Sequence, residues 1–246
     1  MAECQVFRND DGVIERVEAP NGQPSTLYKT LQDLVKDKEQ ALRLWAQVYT
    51  GSFKNWFGDW ERGKGSKVID ENGEPLIVYH NTLNKQNEFK GYVTYFTDSK
   101  EYAESFKGFK LSGELQYPVF LNLRDPKNIT SSPLANVPRE IHVTDEFTNP
   151  AIIKETNKNV DGVIGIDAGQ KQGKTYVSFN PNQVKSVLNE GSFAIDKGGY
   201  DNTQVRTEAI TGREGIVGRK VSRQKELEEL GAFNVQFVEG GIKYSF

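Results

Sequence analysis

Between Lys67 and Leu188 the apolar residues fall in short runs cut by turn residues, which restricts this part of the chain to a fold of short strands. Val68-Ile69, Leu76-Ile77-Val78-Tyr79, Tyr92 to Phe96, Val119-Phe120-Leu121-Asn122-Leu123, Asp161 to Ile166, Thr175 to Phe179 and Val184 to Leu188 have the length and composition of strands. Asp70-Glu71-Asn72-Gly73-Glu74-Pro75 is a hairpin-type turn by composition, and the Gly/Gln/Lys-rich residues 168–174 form another. Arg124-Asp125-Pro126 and Asn180-Pro181 stop the strands before them. One helix is embedded over Lys100–Phe106, with Tyr102, Ala103 and Phe106 on one side. A second is predicted at about 148–158, within a polar stretch broken by Pro133, Pro138 and Pro150.

The chain opens differently. Asp10-Asp11-Gly12 between short apolar runs signals a hairpin over residues 6–17, and Ser25 is placed to cap a helix. Leu27, Leu31, Leu34, Ala41, Leu42, Leu44, Trp45 and Val48 follow helical spacing, and the polar gap at Lys36–Gln40 suggests a helix pair or one helix with a polar turn. Phe53, Trp56, Phe57 and Trp60 then crowd together. Base stacking would need interleaved basic residues; only Lys54 and Arg62 are near, so the cluster is read as docking the leading helix. A helical start followed by short strands with an embedded helix is an α+β chain with a mostly antiparallel sheet. Residues 194–213 read as linker, Ser222–Leu230 as a charged helix, and Glu239-Gly240-Gly241 as a closing hairpin. The expected units are 1–62, a hairpin and helical extension; 63–195, the core; and 196–246, a linker with a helix–hairpin appendage.

The formal charge of −3 argues against general affinity for nucleic-acid phosphates, although a local groove with Lys171, Lys174 and Lys185 is compatible with it. Cys4 is the single cysteine, so no internal disulfide forms, which fits a reducing cytoplasm. No metal-ligand pattern surrounds it. No signal-like segment opens the chain and no apolar run approaches membrane-span length, so no membrane partner is expected.

The chemistry concentrates in two stretches, Val78-Tyr79-His80-Asn81-Thr82 and Tyr95-Phe96-Thr97-Asp98-Ser99. Only two histidines occur. His142, between Ile141 and Val143, reads as structural or exposed, whereas His80 ends an apolar strand with a small hydroxyl two residues on. With Tyr95 and Phe106, these stretches have the elements of a pocket for a flat cationic ring, because aromatic faces attract such a ring by apolar burial and cation–π forces together. Each residue alone is equally a strand-end histidine or a core aromatic. Their order along the chain is what points to a site.

That order resembles the His-Tyr-Glu branch of the ADP-ribosyltransferases, the group that includes diphtheria toxin and the poly(ADP-ribose) polymerases. Trp56-Phe57-Gly58-Asp59-Trp60, Pro75 to His80, Tyr95 to Asp98, and Gln183-Val184-Lys185-Ser186 with Asn189, Gly191 and Phe193 are more similar still to the ADP-ribosyltransferase domains of phage and mobile-element polyvalent proteins. The resemblance covers about residues 50–195 and implies a split, mostly antiparallel sheet with NAD as co-substrate. It implies that His80 bonds the ribose hydroxyls of NAD. Asn81 and Thr82 would hold the amide or ribose, Tyr95 and Phe106 would sandwich the nicotinamide, and Ser99 would belong to the same pocket.

At the position resembling the catalytic glutamate stands Gln183. A glutamine hydrogen-bonds a hydroxyl but does not deprotonate an acceptor near neutral pH. The resemblance with this departure implies a mono-ADP-ribosyltransferase, with His80, Tyr95 and Gln183 in the catalytic set. It would act on a protein or nucleic-acid acceptor in the bacterial host cytoplasm. The alternatives are an NAD glycohydrolase, or an NAD- or partner-binding module with the same fold. An RNA-cleaving nuclease is disfavoured because His80 lacks a second acid–base partner.

Overall fold

A computed structural model describes residues 4–82, 89, 93–105, 115–129, 150–165, 173–188, 193, 233–238 and 241–245. The hairpin β1 (Cys4–Arg8) and β2 (Ile14–Glu18) turns at Asn9–Gly12, as the Asp-Gly signal predicts. Helices α1 (Thr26–Val35) and α2 (Lys38–Ala46) follow. The polar gap between them is a true break: Lys36 adopts φ 60°, and the Asp37 side chain caps α2 by accepting from the Gln40 N–H. Ser25 caps α1 through the Tyr28 N–H, as expected.

α3 (Gly51–Phe57) carries the aromatic cluster, and β3 (Gly58–Asp59) pairs with β4 (Lys64–Gly65) just after it. The Phe53 ring stacks on Phe57 at 5.0 Å and meets Phe120 and Phe193 edge-on at 5.3 and 4.9 Å. Trp56 stacks on Phe193 at 5.7 Å, and its indole N–H donates to the Asn182 carbonyl. The cluster therefore packs the helices onto the sheet.

The main sheet comprises β5 (Val78–Thr82), β6 (Thr94–Thr97), β7 (Leu115–Leu121), β8 (Pro126–Asn128), β9 (Gly162–Gly165), β10 (Thr175–Ser178) and β11 (Val184–Ser186). Its order is β11-β7-β5-β6-β10-β9-β8, antiparallel throughout except for the parallel β8–β9 pair. α4 (Lys100–Ser105) follows β6, and α5 (Pro150–Thr156) precedes β9. This is the expected mixed fold with a mostly antiparallel sheet. Val68-Ile69 makes an isolated bridge at Ile69–Pro75 instead of a strand. β8 was not expected, because Pro126 opens it; a proline is tolerated at the first residue of an edge strand. The linker read over 194–213 and the helix read over Ser222–Leu230 lie outside the described residues.

Side chains alternate across the sheet, so each strand feeds two cores. Tyr79 and Phe120 join α1–α3 on one face, while Val78, Tyr117, Val119 and Leu121 pack with Val68, Leu123 and Tyr176 on the other. The helical layer thus shares one core with one face of the sheet. A second sheet, β12-β13-β1-β2, brings β12 (Phe233–Val238) and β13 (Gly241–Ser245) against the first hairpin. Cys4 pairs with Tyr244 and Phe7 with Gly241. Among the described residues, no helix is long and apolar enough to cross a membrane.

Glu74 joins these layers. It has 0% exposure, and its carboxylate accepts from Ser25 Oγ at 2.8 and 2.9 Å, Trp45 Nε1 at 3.1 Å and the Leu27 N–H at 3.2 Å. Burial raises its pKa, and the bonds from Trp45, Ser25 and Leu27 oppose that shift. The turn is held from the other side as well, since Asp70 accepts from Thr26 Oγ1 and from the Asn72 and Glu74 N–H groups. Glu74→Ala would strand those three donors in a dry site, so we expect a loss of roughly 3 kcal/mol in urea unfolding.

Candidate functional site

β5 and β6 touch at one registered pair, Tyr79–Thr97, whereas β5 and β7 share five from Val78–Val119 to Thr82–Leu115. The two strands diverge beyond Tyr79, and His80 is the next residue along. Alternation places it on the Val78 face, where its ring lies 5.1 Å from Phe89 and 5.5 Å from Phe96. Its Nδ1 is 2.8 Å from the Tyr95 carbonyl oxygen and so bridges the diverging strands.

That contact fixes the state of the ring. A carbonyl oxygen only accepts, so Nδ1 carries the proton. Burial lowers the His80 pKa from the ordinary value of 6.5, against the opposing pull of the Tyr95 bond, so the ring is neutral near pH 7. The lone pair is then on Nε2, which has no hydrogen-bond partner among the described residues. His80 is set to accept a hydrogen bond from a ligand hydroxyl.

Tyr95 is 50% exposed although Thr94, Phe96 and Thr97 around it are buried. Beside His80, both amide atoms of Asn81 are buried and unpartnered, a costly arrangement that a bound polar group would relieve. Thr82 follows, also buried. The structure therefore sets His80 and Thr82 on the Phe96 face at the end of β5, whereas alternation turns Asn81 and the Tyr95 ring toward the other face, and only the Tyr95 carbonyl meets His80. Phe106 lies outside the described residues. Ser99 accepts from the Tyr102 N–H and caps the start of α4. Phe89, which packs on His80, was missed: it stands alone in a polar stretch with no periodic neighbours to reveal it.

Asp98 fastens the other side of β6. Its Oδ1 accepts from the Lys174 N–H at 2.7 Å, and its Oδ2 from the Tyr176 hydroxyl at 3.2 Å. Burial, reinforced by Asp98, pushes the Tyr176 pKa strongly up, which keeps the hydroxyl a donor. Gly173 sits at φ +96°, and a Cβ there would lie 2.4 Å from Asp98 Oδ1. Across β6, β10 sets Thr175 opposite Thr97 and Val177 opposite Tyr95, so neither registered neighbour is ionisable.

Gln183 stands elsewhere. β7 separates β5 from β11, and the β7 partners of His80 and Val184, Tyr117 and Leu121, are four residues or about 13 Å apart. Both ends of the Gln183 amide are also bonded. Oε1 accepts from the Phe179 and Asn180 N–H groups at 2.9 and 2.8 Å, and Nε2 donates to the Asp161 carbonyl at 2.7 Å. With Asn180 it forms a capping box on the turn Pro181–Gln183. The expectation that Gln183 joins His80 and Tyr95 is therefore corrected: it tethers β9, β10 and β11 at the far end of β7.

The model of the family described as ADP-ribosyltransferase in polyvalent proteins matches residues 70–193, and the chain belongs to that family. The match begins in the turn that carries Glu74 and ends at Phe193, the ring against Phe53 and Trp56. No curated protein and no solved structure matches the chain.

Two substitutions test the geometry. Gly173→Ala, strained at its φ and pressed against Asp98, is expected to lower stability by about 1–3 kcal/mol in chemical denaturation. Gln183→Glu opposes a carboxylate to the Asp161 carbonyl where an N–H now donates, and urea unfolding is expected to show a loss of about 1–3 kcal/mol.

Proposed function

We propose that this ADP-ribosyltransferase domain cleaves NAD at the bond between nicotinamide and ribose and transfers a single ADP-ribosyl group to a macromolecule. The observation that carries the reading is the His80–Tyr95 pair within the family match, with Nδ1 committed to the Tyr95 carbonyl and Nε2 left as an acceptor. Nε2 would accept from a ribose hydroxyl, and the resemblance assigns the Tyr95 ring to the nicotinamide. The resemblance adds Phe106 as the second ring and Asn81 and Thr82 as contacts of the amide or ribose. As the C1′–N bond breaks, the electron pair leaves with neutral nicotinamide and positive charge grows on the sugar. A polarised ribose hydroxyl stabilises that charge more than it stabilises the ground state.

The acceptor then forms its bond to C1′ and gives up a proton. Thr175 and Val177 supply no base and the Gln183 amide is engaged, so the acceptor is a group that is already nucleophilic. Its class is a protein or nucleic acid of a bacterial host, reached in the cytoplasm, and the family's occurrence in polyvalent proteins supports a phage or mobile-element origin. The same two neutral residues favour a second reading, in which the domain hydrolyses NAD or holds it without turnover.

Incubation with labelled NAD and bacterial lysate separates these readings. Transfer of label to a macromolecule supports the first, nicotinamide release without transfer supports the glycohydrolase, and neither would sink both. His80→Ala and Tyr95→Ala are each expected to lower nicotinamide release by at least about 100-fold while the fold persists, the scale of losing a key transition-state contact. Full turnover in both variants would show that the site is misplaced.

The pH profile gives a further check. The neutral ring is the working form, and its folded pKa lies below the ordinary 6.5. Activity is expected to hold as pH falls through 6.5 and to fail only further into acid. Stability linked to His80 is likewise present above 6.5 and lost as pH falls through the lower folded value.

A further inference from the structure

We propose that the cavity at the Gln183 end of β7 is a second binding site, separate from the His80–Tyr95 pair, for a small phosphorylated ligand of nucleotide size. The cavity measures about 710 Å³, within the range of small-molecule sites. Among the described residues its charged lining is Arg124, Lys154, Lys158 and Lys185 against a single carboxylate, Asp161. The whole chain carries a net charge of −3, so this concentration of cations runs against the overall balance.

Two of the cations bond neutral groups. Arg124 donates from Nη2 to the Trp56 carbonyl at 2.8 Å and from Nε to Asn122 Oδ1 at 3.2 Å. Lys154 Nζ donates to the Phe179 carbonyl at 2.8 Å. Asp161 forms no ion pair with them among the described residues; its oxygens accept from the Arg124 and Asp125 backbone N–H groups at 2.7 and 3.0 Å. Neither Arg124 nor Lys158 meets a carboxylate among the described residues. Burial, and then the Lys158 ammonium, pull the Lys154 pKa down.

Like charges set in place by carbonyls gain most when an anion with several oxygens bridges them. A phosphate does this, and a guanidinium held in a fixed plane suits it well. The carboxamides around the cations, Asn55 and Asn157 among them, offer both donors and acceptors to the sugar and base of a nucleotide.

Calorimetric titration of the full chain with ADP, inorganic pyrophosphate and adenosine tests the proposal. ADP and pyrophosphate are expected to bind with an affinity that falls with salt, and adenosine not to bind. Lys158→Glu, at an exposed position where the fold is insensitive, and Arg124→Glu are each expected to weaken ADP roughly tenfold or more. ADP binding is expected to persist in His80→Ala. The proposal is overturned if ADP does not bind, if adenosine binds as well as ADP, or if both charge reversals leave the affinity unchanged. Loss of ADP binding in His80→Ala would also overturn it, by placing ADP at the divergence of β5 and β6. Nicotinamide release from NAD is scored separately, so failure of the transferase reading would not mimic failure here.

Discussion

A carboxylate removed from water, with hydrogen-bond donors around it and no bonded cation among the described residues, holds the architecture together. Glu74 accepts from the Ser25 hydroxyl and from Leu27 and Trp45, so the turn before β5, the start of α1 and the last turn of α2 meet at one point. Because Ser25 also accepts from the Tyr28 N–H, the cap of α1 and the Glu74 anchor are consecutive links of one chain of bonds. The negative group lies at the N-terminal end of a ten-residue helix, the end where the helix dipole favours it. With α1 and α2 fixed there, their apolar faces cover Tyr79 and Phe120, and β5 leaves the turn with its direction set.

The site follows from that direction. β5 is tied tightly to β7 and at one registered pair to β6, so the sheet opens beyond Tyr79. An opening in a sheet exposes backbone groups that would normally be paired, and His80 satisfies one of them, the Tyr95 carbonyl. Asp98 braces the opposite flank by holding the Lys174 N–H and the Tyr176 hydroxyl. The same contacts that keep the gap from collapsing or widening therefore also set the tautomer of the histidine within it. Structure and chemistry are here one hydrogen bond.

Much of this was readable from residue types with local consequences. Ser25 as a cap, an interruption within Lys36–Gln40, a strand over Leu76–Tyr79 and the packing role of Phe53 and Trp56 all follow from spacing and turn chemistry, which act over a few residues. Phe89 was not readable, because an isolated apolar residue acquires meaning only from the tertiary partners it finds. Gln183 shows a different failure. Its place before a late strand suggested chemistry, yet Asn180 three residues earlier is the local mark of a capping box, and that reading describes what its amide does. Which strand borders which is set by long-range pairing, so sequence order alone did not place it far from His80.

The pairing of β1 with β13 has a consequence in time. Phe7 is registered against Gly241, more than two hundred residues downstream. At ribosomal rates of roughly 5–20 residues per second, the first hairpin emerges at least about 10 seconds before its partner strand exists. Throughout that interval one edge of β1 carries unpaired backbone groups, the surface through which strands of different chains join. The main sheet, closed by shorter connections, is free to form first. β1 is thus completed long after it is made, and until then its open edge needs shielding.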